Sequence, residues 1–377
     1  MKRALKILLA LVVVAALGWA AIYFMVPPKQ SIHEAARAGD VEIVSKWLRR
    51  DSAHANARDG AGRTPLHYAA LYGRTNVANV LLAGKADANL GDRHGMTALH
   101  CAADQGREAT VRLLLSKGTF APAVDNQGRT ALHWAAHRGD PSTVQFLLAN
   151  GLKAGATDHN GWTPLHLAVA GGHAQVIDVL QEKGAALDIF AAAGLGQMDR
   201  VTRLINEDSA RVHAIDPYGD TPLHWAVRRE QREVAALLLK ENARPNTLNR
   251  SELSPFHIAI AIGNLDLVQL LVTNGGDVNL RGLDQITPLH LAAASGQREI
   301  VALLLGRSAD PHARDRASHT ALHFAVERDH IGIVTTLLDK GVDVNARNQN
   351  GLRPLQLAKQ HNHEALAELL QRHGAKE

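Results

Sequence analysis

One cysteine in 377 residues, Cys101, excludes an intramolecular disulfide, so the fold must hold by non-covalent packing. Beyond the first 29 residues no sign of charge is in excess. The formal net charge of +4 comes entirely from Lys2, Arg3, Lys6 and Lys29, and removing these four from 41 basic residues leaves 37 against 37 acidic ones over residues 30–377. A domain that reads DNA or RNA needs a basic stripe in surplus over its acids, and only local clusters such as Arg228-Arg229 are present. Signatures of catalysis are missing as well. There is no glycine-rich phosphate loop, no His-Glu-x-x-His and no nucleophile elbow, and the glycines read as turns and caps, so no group of acid, base and nucleophile is set up.

What is present in abundance is a repeat. Thr64-Pro65-Leu66-His67, Thr97-Ala98-Leu99-His100, Thr130-Ala131-Leu132-His133 and Thr163-Pro164-Leu165-His166 succeed one another at 33 residues. A second series runs through Thr221-Pro222-Leu223-His224, Ser254-Pro255-Phe256-His257, Thr287-Pro288-Leu289-His290 and Thr320-Ala321-Leu322-His323. A unit of this size cannot bury its own apolar face, so the period predicts stacked helix pairs. Within a unit, Asp59-Gly60-Ala61-Gly62 makes a turn, Thr64 caps the next helix, and Pro65 takes the first helical position, where a missing N–H costs nothing. Leu66, Ala69 and Ala70 give a narrow apolar face to the inner helix, and Val77, Val80, Leu81 and Leu82 a thicker one to the outer helix.

Each full unit reads Asp-x-x-Gly-x-Thr-Pro-Leu-His-x-Ala-Ala-x-x-Gly, then an apolar helix ending in Leu-Leu, and over residues 30–377 this resembles the ankyrin-repeat family. The resemblance implies an all-α solenoid of helix-turn-helix units with β-hairpin edges, and a role in protein binding. It also implies that the ring of motif histidines ties each turn to its neighbour by hydrogen bonds. Eleven unit starts are legible: Gln30, Thr64, Thr97, Thr130, Thr163, Leu187, Thr221, Ser254, Thr287, Thr320 and Arg353. From Thr163 to Leu187 the step is only 24 residues, and Ile189 to Asp216 resembles the opening unit, so two stacks are expected, repeats 1–5 over 30–186 and repeats 6–11 over 187–377. Left-handed backbone is expected where the outer helix ends, at Gly118, Gly151, Gly184, Gly275, Gly341 and Gly374, and also at Asp208 and Asn242. Lys85 and Ser308 stand at the same place with strain or a different cap.

The N-terminus carries a separate signal. After Lys2, Arg3 and Lys6, residues 7–26 contain no charge, and Pro27-Pro28 ends the run. Twenty residues of helix span about 30 Å, one hydrocarbon core. The expectation is a cytoplasmic tail (1–6), a transmembrane anchor (7–26), a linker (27–29) and a repeat domain on the periplasmic side of the inner membrane. A signal peptide cut near Gly18-Trp19-Ala20, leaving a secreted or periplasmic protein, is the alternative.

Metal sites are not expected. Eight of the 21 histidines belong to the motif, and His94, His159 and His319 lie in separate turns with no common centre. Cys101 takes a position filled by Tyr68, Trp134, Trp225, Phe324 or an aliphatic residue elsewhere and reads as packing. Neither a cofactor nor a catalytic residue is expected. The reading that remains is a tethered, non-enzymatic scaffold with a protein partner in its concave groove; an assembly or protection factor for an envelope enzyme and a structural spacer stay open. Aromatic and arginine side chains anchor interfaces, which singles out Tyr72, Arg129, Arg138 and Trp162 in the first stack, then Tyr218, Arg228 and Arg229 in the second.

Overall fold

The computed structural model describes residues 30–377, and these divide into two compact units between Ala186 and Leu187. The N-terminal unit holds five helix pairs: α1 (Ile32–Ala38) with α2 (Val41–Arg50), α3 (Pro65–Leu71) with α4 (Thr75–Ala83), α5 (Ala98–Asp104) with α6 (Glu108–Ser116), α7 (Ala131–Arg138) with α8 (Pro141–Ala149), and α9 (Pro164–Gly171) with α10 (Ala174–Glu182). Six pairs make the C-terminal unit: α11 (Ile189–Gly194) with α12 (Met198–Glu207), α13 (Pro222–Arg228) with α14 (Arg232–Lys240), α15 (Pro255–Ile262) with α16 (Leu265–Thr273), α17 (Pro288–Ala294) with α18 (Arg298–Gly306), α19 (Ala321–Glu327) with α20 (Ile331–Asp339), and α21 (Pro354–Gln360) with α22 (Glu364–Arg372). Within each unit, inner helices pack on inner helices of the next repeat and outer on outer.

Residue size explains the two layers. Leu66, Ala69 and Ala70 on α3 are buried, as are Leu99, Ala102 and Ala103 on α5, and the alanines let inner helices approach closely. Val77, Leu81, Val111 and Leu114 fill the outer layer. Each fully buried leucine, isoleucine or valine contributes roughly 1.5–3 kcal/mol, which suffices without a disulfide because every repeat supplies at least two such side chains. Outer helices α2, α8 and α16 start at Asp40, Asp140 and Asn264, whose side chains accept from Ile43 N, Thr143 N and Leu267 N at 2.9, 3.4 and 3.0 Å. Lys85, Asn242 and Ser308 end their outer helices at φ of 67°, 67° and 66°, in the left-handed conformation that the glycines adopt elsewhere. Asp208 does not. Its φ is −158°, and its carboxylate accepts from Ala210 N at 3.0 Å to start a 3-10 turn over Ser209–His213, as Asp51 does before Ser52–Asn56.

Two further expectations are corrected. The β-hairpin edges do not form: among the described residues the only β-pairing is an isolated bridge between Val124 and Thr130. The cause lies in the Asp-x-x-Gly turn. Asp59 Oδ1 accepts from Ala61 N and Arg63 N at 2.8 and 2.9 Å, so the side chain takes N–H groups that a strand would pair, and where consecutive turns are joined through the backbone it is by a single bond, such as Arg93 N to Ala61 O at 3.1 Å. The membrane-tethered, periplasmic reading is likewise overturned. No helix among the described residues is long and apolar enough to cross a membrane. The longest, α2 and α12, have ten residues, about half of what a bilayer needs. Residues 7–26, to which the sequence pattern assigns the anchor, lie outside the described residues.

Candidate binding rows

The motif histidines set the backbone on which any site must be built. In His67, Nδ1 accepts the Thr64 N–H at 3.0 Å and lies 2.8 Å from the Thr64 hydroxyl, while Nε2 donates to the Met96 carbonyl of the next repeat at 2.8 Å. A backbone N–H can only donate, so Nδ1 must be bare and the proton must sit on Nε2; the ring is neutral and its tautomer fixed. The same bridge joins His100 to Arg129 O and His133 to Trp162 O, both at 3.1 Å. In the C-terminal unit it runs from His224 to Leu253, His257 to Leu280, His290 to Ala313 and His323 to Leu352. Burial, the largest cause, holds all seven of these rings below the usual histidine range, His224 and His323 down to about 4. His33 joins the series, with Nε2 at 2.9 Å from Ala57 O and 3.2 Å from Arg63 O. It escapes the motif because Gln30 and Ser31 replace threonine and proline. In the last repeat Gln356 Oε1 accepts the Arg353 N–H at 2.9 Å in place of an imidazole.

A second rule governs the turn acids. At three of them Oδ1 closes the turn and Oδ2 finds a donor nine residues on: Tyr68 Oη donates to Asp59 at 2.7 Å, Trp134 Nε1 to Asp125 at 3.2 Å, and Trp225 Nε1 to Asp216 at 2.9 Å. Where Cys101 replaces the ring, Arg63 of the preceding repeat supplies the partner for Asp92 at 3.4 Å. Cys101 is itself 2% exposed, and burial pushes its thiol up to about 12. It is a packing residue. Asn249 and Gly282 bring no charge to the turn, and Ile258 and Leu291 stand opposite them.

The seven candidate residues fall into two classes. Arg129 is committed locally: Nε donates to Asp125 Oδ2 at 3.0 Å and the guanidinium lies 3.9 Å from the centre of the Trp134 ring. Arg228 is committed too, donating to buried Asp220 at 2.6 Å, while Asn249 of the next repeat donates to the other oxygen at 2.7 Å. Arg229 is half-buried, and its Nε has no hydrogen-bond partner among the described residues. Arg138 is exposed at the end of α7 and makes no ion pair among the described residues. Tyr72 is half-buried beneath the Arg37 guanidinium, 5.0 Å from its ring centre, in an open hollow lined also by Gln30, Glu34 and Arg74. Trp162 is half-buried with its ring 5.9 Å from that of His166, and Tyr218 is 55% exposed at a turn tip.

These residues do not converge on one point. Tyr72 and Arg138 occupy equivalent places at the C-terminal ends of inner helices, two repeats apart, whereas Arg129 and Trp162 occupy equivalent places in consecutive turns. Inner helices of seven or eight residues separate the rows, roughly 10–12 Å. Tyr218 and the Arg228-Arg229 pair repeat this separation across α13.

A third set has no fixed residue type and so leaves no consensus in the sequence. In several repeats the residue that opens the outer helix reaches back to the C-terminal end of the inner helix of the preceding repeat: Arg74 Nε donates to Arg37 O at 3.0 Å, Arg107 to Leu71 O at 3.4 Å, His173 to His137 O at 3.0 Å and His330 to Ala294 O at 3.3 Å. These donors satisfy carbonyls that the helix leaves open.

No group of three or more His, Cys, Asp or Glu side chains among the described residues is placed to hold a metal ion. Comparison with known families matches ankyrin repeats (3 copies) over residues 32–125, 118–191, 189–249, 241–315 and 289–377. The chain belongs to the ankyrin-repeat family. No curated protein matches it. Repeats occupy residues 32–377, a fold that offers a surface for protein partners.

Proposed function

We propose that the chain is a protein-binding scaffold whose partner lies along the inner helices of the N-terminal unit, between the row of Tyr72 and Arg138 and the row of Arg129 and Trp162. The observation that carries this reading is the contrast in rigidity of attachment. The backbone under both rows is fixed by buried His-to-carbonyl bonds, while Arg138 stands exposed with no ion pair among the described residues. Preorganised backbone with exposed Arg and half-buried aromatic side chains is what a binding hot spot requires, because little ordering entropy remains to be lost.

Native capture from a lysate, with the wild-type chain beside a Tyr72→Ala, Arg138→Ala, Trp162→Ala variant of unchanged thermal stability, tests the assignment. A folded partner held in fixed ratio by the wild type and lost by the variant is the expected result. Equal retention by both would remove these rows as the docking surface.

A further inference from the structure

The position just before the turn residue carries Arg58, Gly91, Val124 and Thr157 in the N-terminal unit, and Ile215, Leu248, Arg281, Arg314 and Arg347 in the C-terminal unit. The last five form one row. Ile215 is 67% and Leu248 40% exposed, and the three arginines, each 33 residues from the next, are all exposed. Arg281 Nη1 donates to the Arg314 carbonyl at 2.9 Å, and Arg314 Nη1 to the Arg347 carbonyl at 2.8 Å. The guanidinium groups of Arg281 and Arg314 are thereby aligned along the stack, and Arg281 Nη1 also lies 3.4 Å from Gln285 Oε1, yet a guanidinium has five N–H groups and these bonds engage one nitrogen. No carboxylate among the described residues pairs with any of the three. Nearby acids are engaged elsewhere, Asp284 by Arg316 at 2.8 Å and Asp315 by His319 at 3.2 Å, while Asp310 and Asp343 accept the N–H groups of His312 and Asn345.

Structural need does not explain the row. The same bond is made once in the N-terminal unit, by Arg58 to Gly91 O at 2.8 Å, but Gly91, Val124, Thr157, Ile215 and Leu248 occupy the position without a guanidinium to make it. What is specific to the C-terminal unit is two exposed aliphatic groups followed by three aligned, unneutralised arginines.

We propose that this row holds an extended acidic peptide, with apolar side chains on Ile215 and Leu248 and a carboxylate at every third residue against Arg281, Arg314 and Arg347. The spacing comes from geometry. Packed helices lie about 8–10 Å apart, which sets the step between arginines, and a polyproline-type strand returns the same face every three residues at about 9 Å. Arg presents paired N–H groups that suit carboxylates. A nucleic acid is the poorer fit, because residues 187–377 hold 21 basic against 23 acidic residues, and a long polyanion would meet the acids as well as the row. This surface is separate from the rows around Tyr72 and Trp162 and does not depend on them.

The test uses the full chain and fluorescein-labelled 15-residue peptides read by polarisation. One peptide has Leu at positions 1 and 4 and Glu at 7, 10 and 13; a second is its reversed sequence; a third has the same composition with Glu at alternate residues. Either the first or the second should bind at least ten-fold more tightly than the third, and the advantage should vanish in an Arg281→Gln, Arg314→Gln, Arg347→Gln variant. Ile215→Ser, at an exposed site, should weaken binding several-fold without touching charge, and it serves with Arg314→Gln alone if the triple variant does not fold. Equal affinity for all three peptides, undiminished affinity in the folded variants, or equally tight binding of a 15-nucleotide single strand that the triple variant loses in parallel would each overturn the proposal.

Discussion

The two units solve one backbone problem with different residues. Every repeat but the first of each unit has left-handed backbone in its turn, after the inner helix and after the outer helix. The N-terminal unit meets this with glycine almost throughout; its single exception is Lys85 at φ 67°. The C-terminal unit has nine non-glycine residues at positive φ: Glu230, Asn242, Glu252, Asp284, Gln285, Ser308, Ser318, Asp329 and Asn362. A left-handed L-residue costs roughly 1–2 kcal/mol, asparagine and aspartate less than the others because they tolerate this region. The dihedral angles agree between units while the residues do not, so the stack, and not local preference, imposes the conformation. The C-terminal unit carries the strain.

Acid should widen the difference most. His67, His100 and His133 in the first unit and His224, His257, His290 and His323 in the second have folded-state affinities for protons below that of an unfolded histidine. As pH falls through about 6.5 the unfolded chain takes up protons that the folded chain refuses, so stability is complete above that pH and is lost toward the folded value. For His224 and His323, at about 4, the loss by pH 5 is about 2 kcal/mol each, both in the C-terminal unit. Burial also raises Asp216 above the usual carboxylate range, with the opposite sign, but from a lower starting pKa of 3.8. Amide hydrogen exchange at pH 7 and pH 5 should therefore show protection falling more over 187–377 than over 30–186. Earlier loss over 30–186 would refute the ordering.

Deleting one imidazole should cost both units alike, because the ladder is common to them. His100→Ala and His257→Ala each strand a Thr or Ser N–H and a carbonyl and leave a cavity, for about 3 kcal/mol. The glutamine at 356 shows that an amide oxygen can accept the same N–H, so His→Gln at either site should recover about half of that in urea titrations. A unit in which glutamine rescues nothing would place the stabilisation in the bond to the next repeat instead.

Smaller and cleaner is the exchange at the outer-helix ends. Lys85 and Gly118 stand at equivalent positions, and a Cβ added at Gly118 meets nothing within 4 Å. Gly118→Ala then isolates the backbone term, destabilising by about 1 kcal/mol, and Lys85→Gly should return a similar amount. Glu230→Gly and Ser318→Gly should do the same for the C-terminal unit. If they do not raise its thermal midpoint, strain is not what separates the two units.

The repeat boundaries and the helix pairs are legible in the sequence because a 33-residue period repeats a cap, a small-residue face and a large-residue face. The turns read wrongly as hairpins because Asp-x-x-Gly has the composition of both, and only the geometry shows Asp59 Oδ1 occupying two N–H groups. The caps made by Arg74, His173 and His330 leave no consensus, since Arg, His, Gln and Asn share one position. Arg281, Arg314 and Arg347 are visible at their 33-residue spacing, but a neutral sum over residues 30–377 hides a local row.

The finest distinction lies among the candidate binding residues themselves. Arg129 and Arg138 look alike in sequence, but Arg129 is tied to Asp125 and covers Trp134, whereas Arg138 is exposed without an ion pair among the described residues. Arg129→Ala should cost about 1 kcal/mol of stability, through a partly buried ion pair and a cation–π contact. Arg138→Ala should stay within about 0.5 kcal/mol while weakening capture of a partner. Thermal unfolding beside a binding measurement separates the two roles, and an Arg138→Ala chain that melts early yet binds normally would move it from the binding row to the frame. The difference follows from what each arginine can reach: Arg129, just before its threonine, meets the turn acid Asp125, and Arg228, at the end of its inner helix, meets Asp220, whereas Arg138 stands where Gly128 and Arg129 precede the threonine and offer no acid.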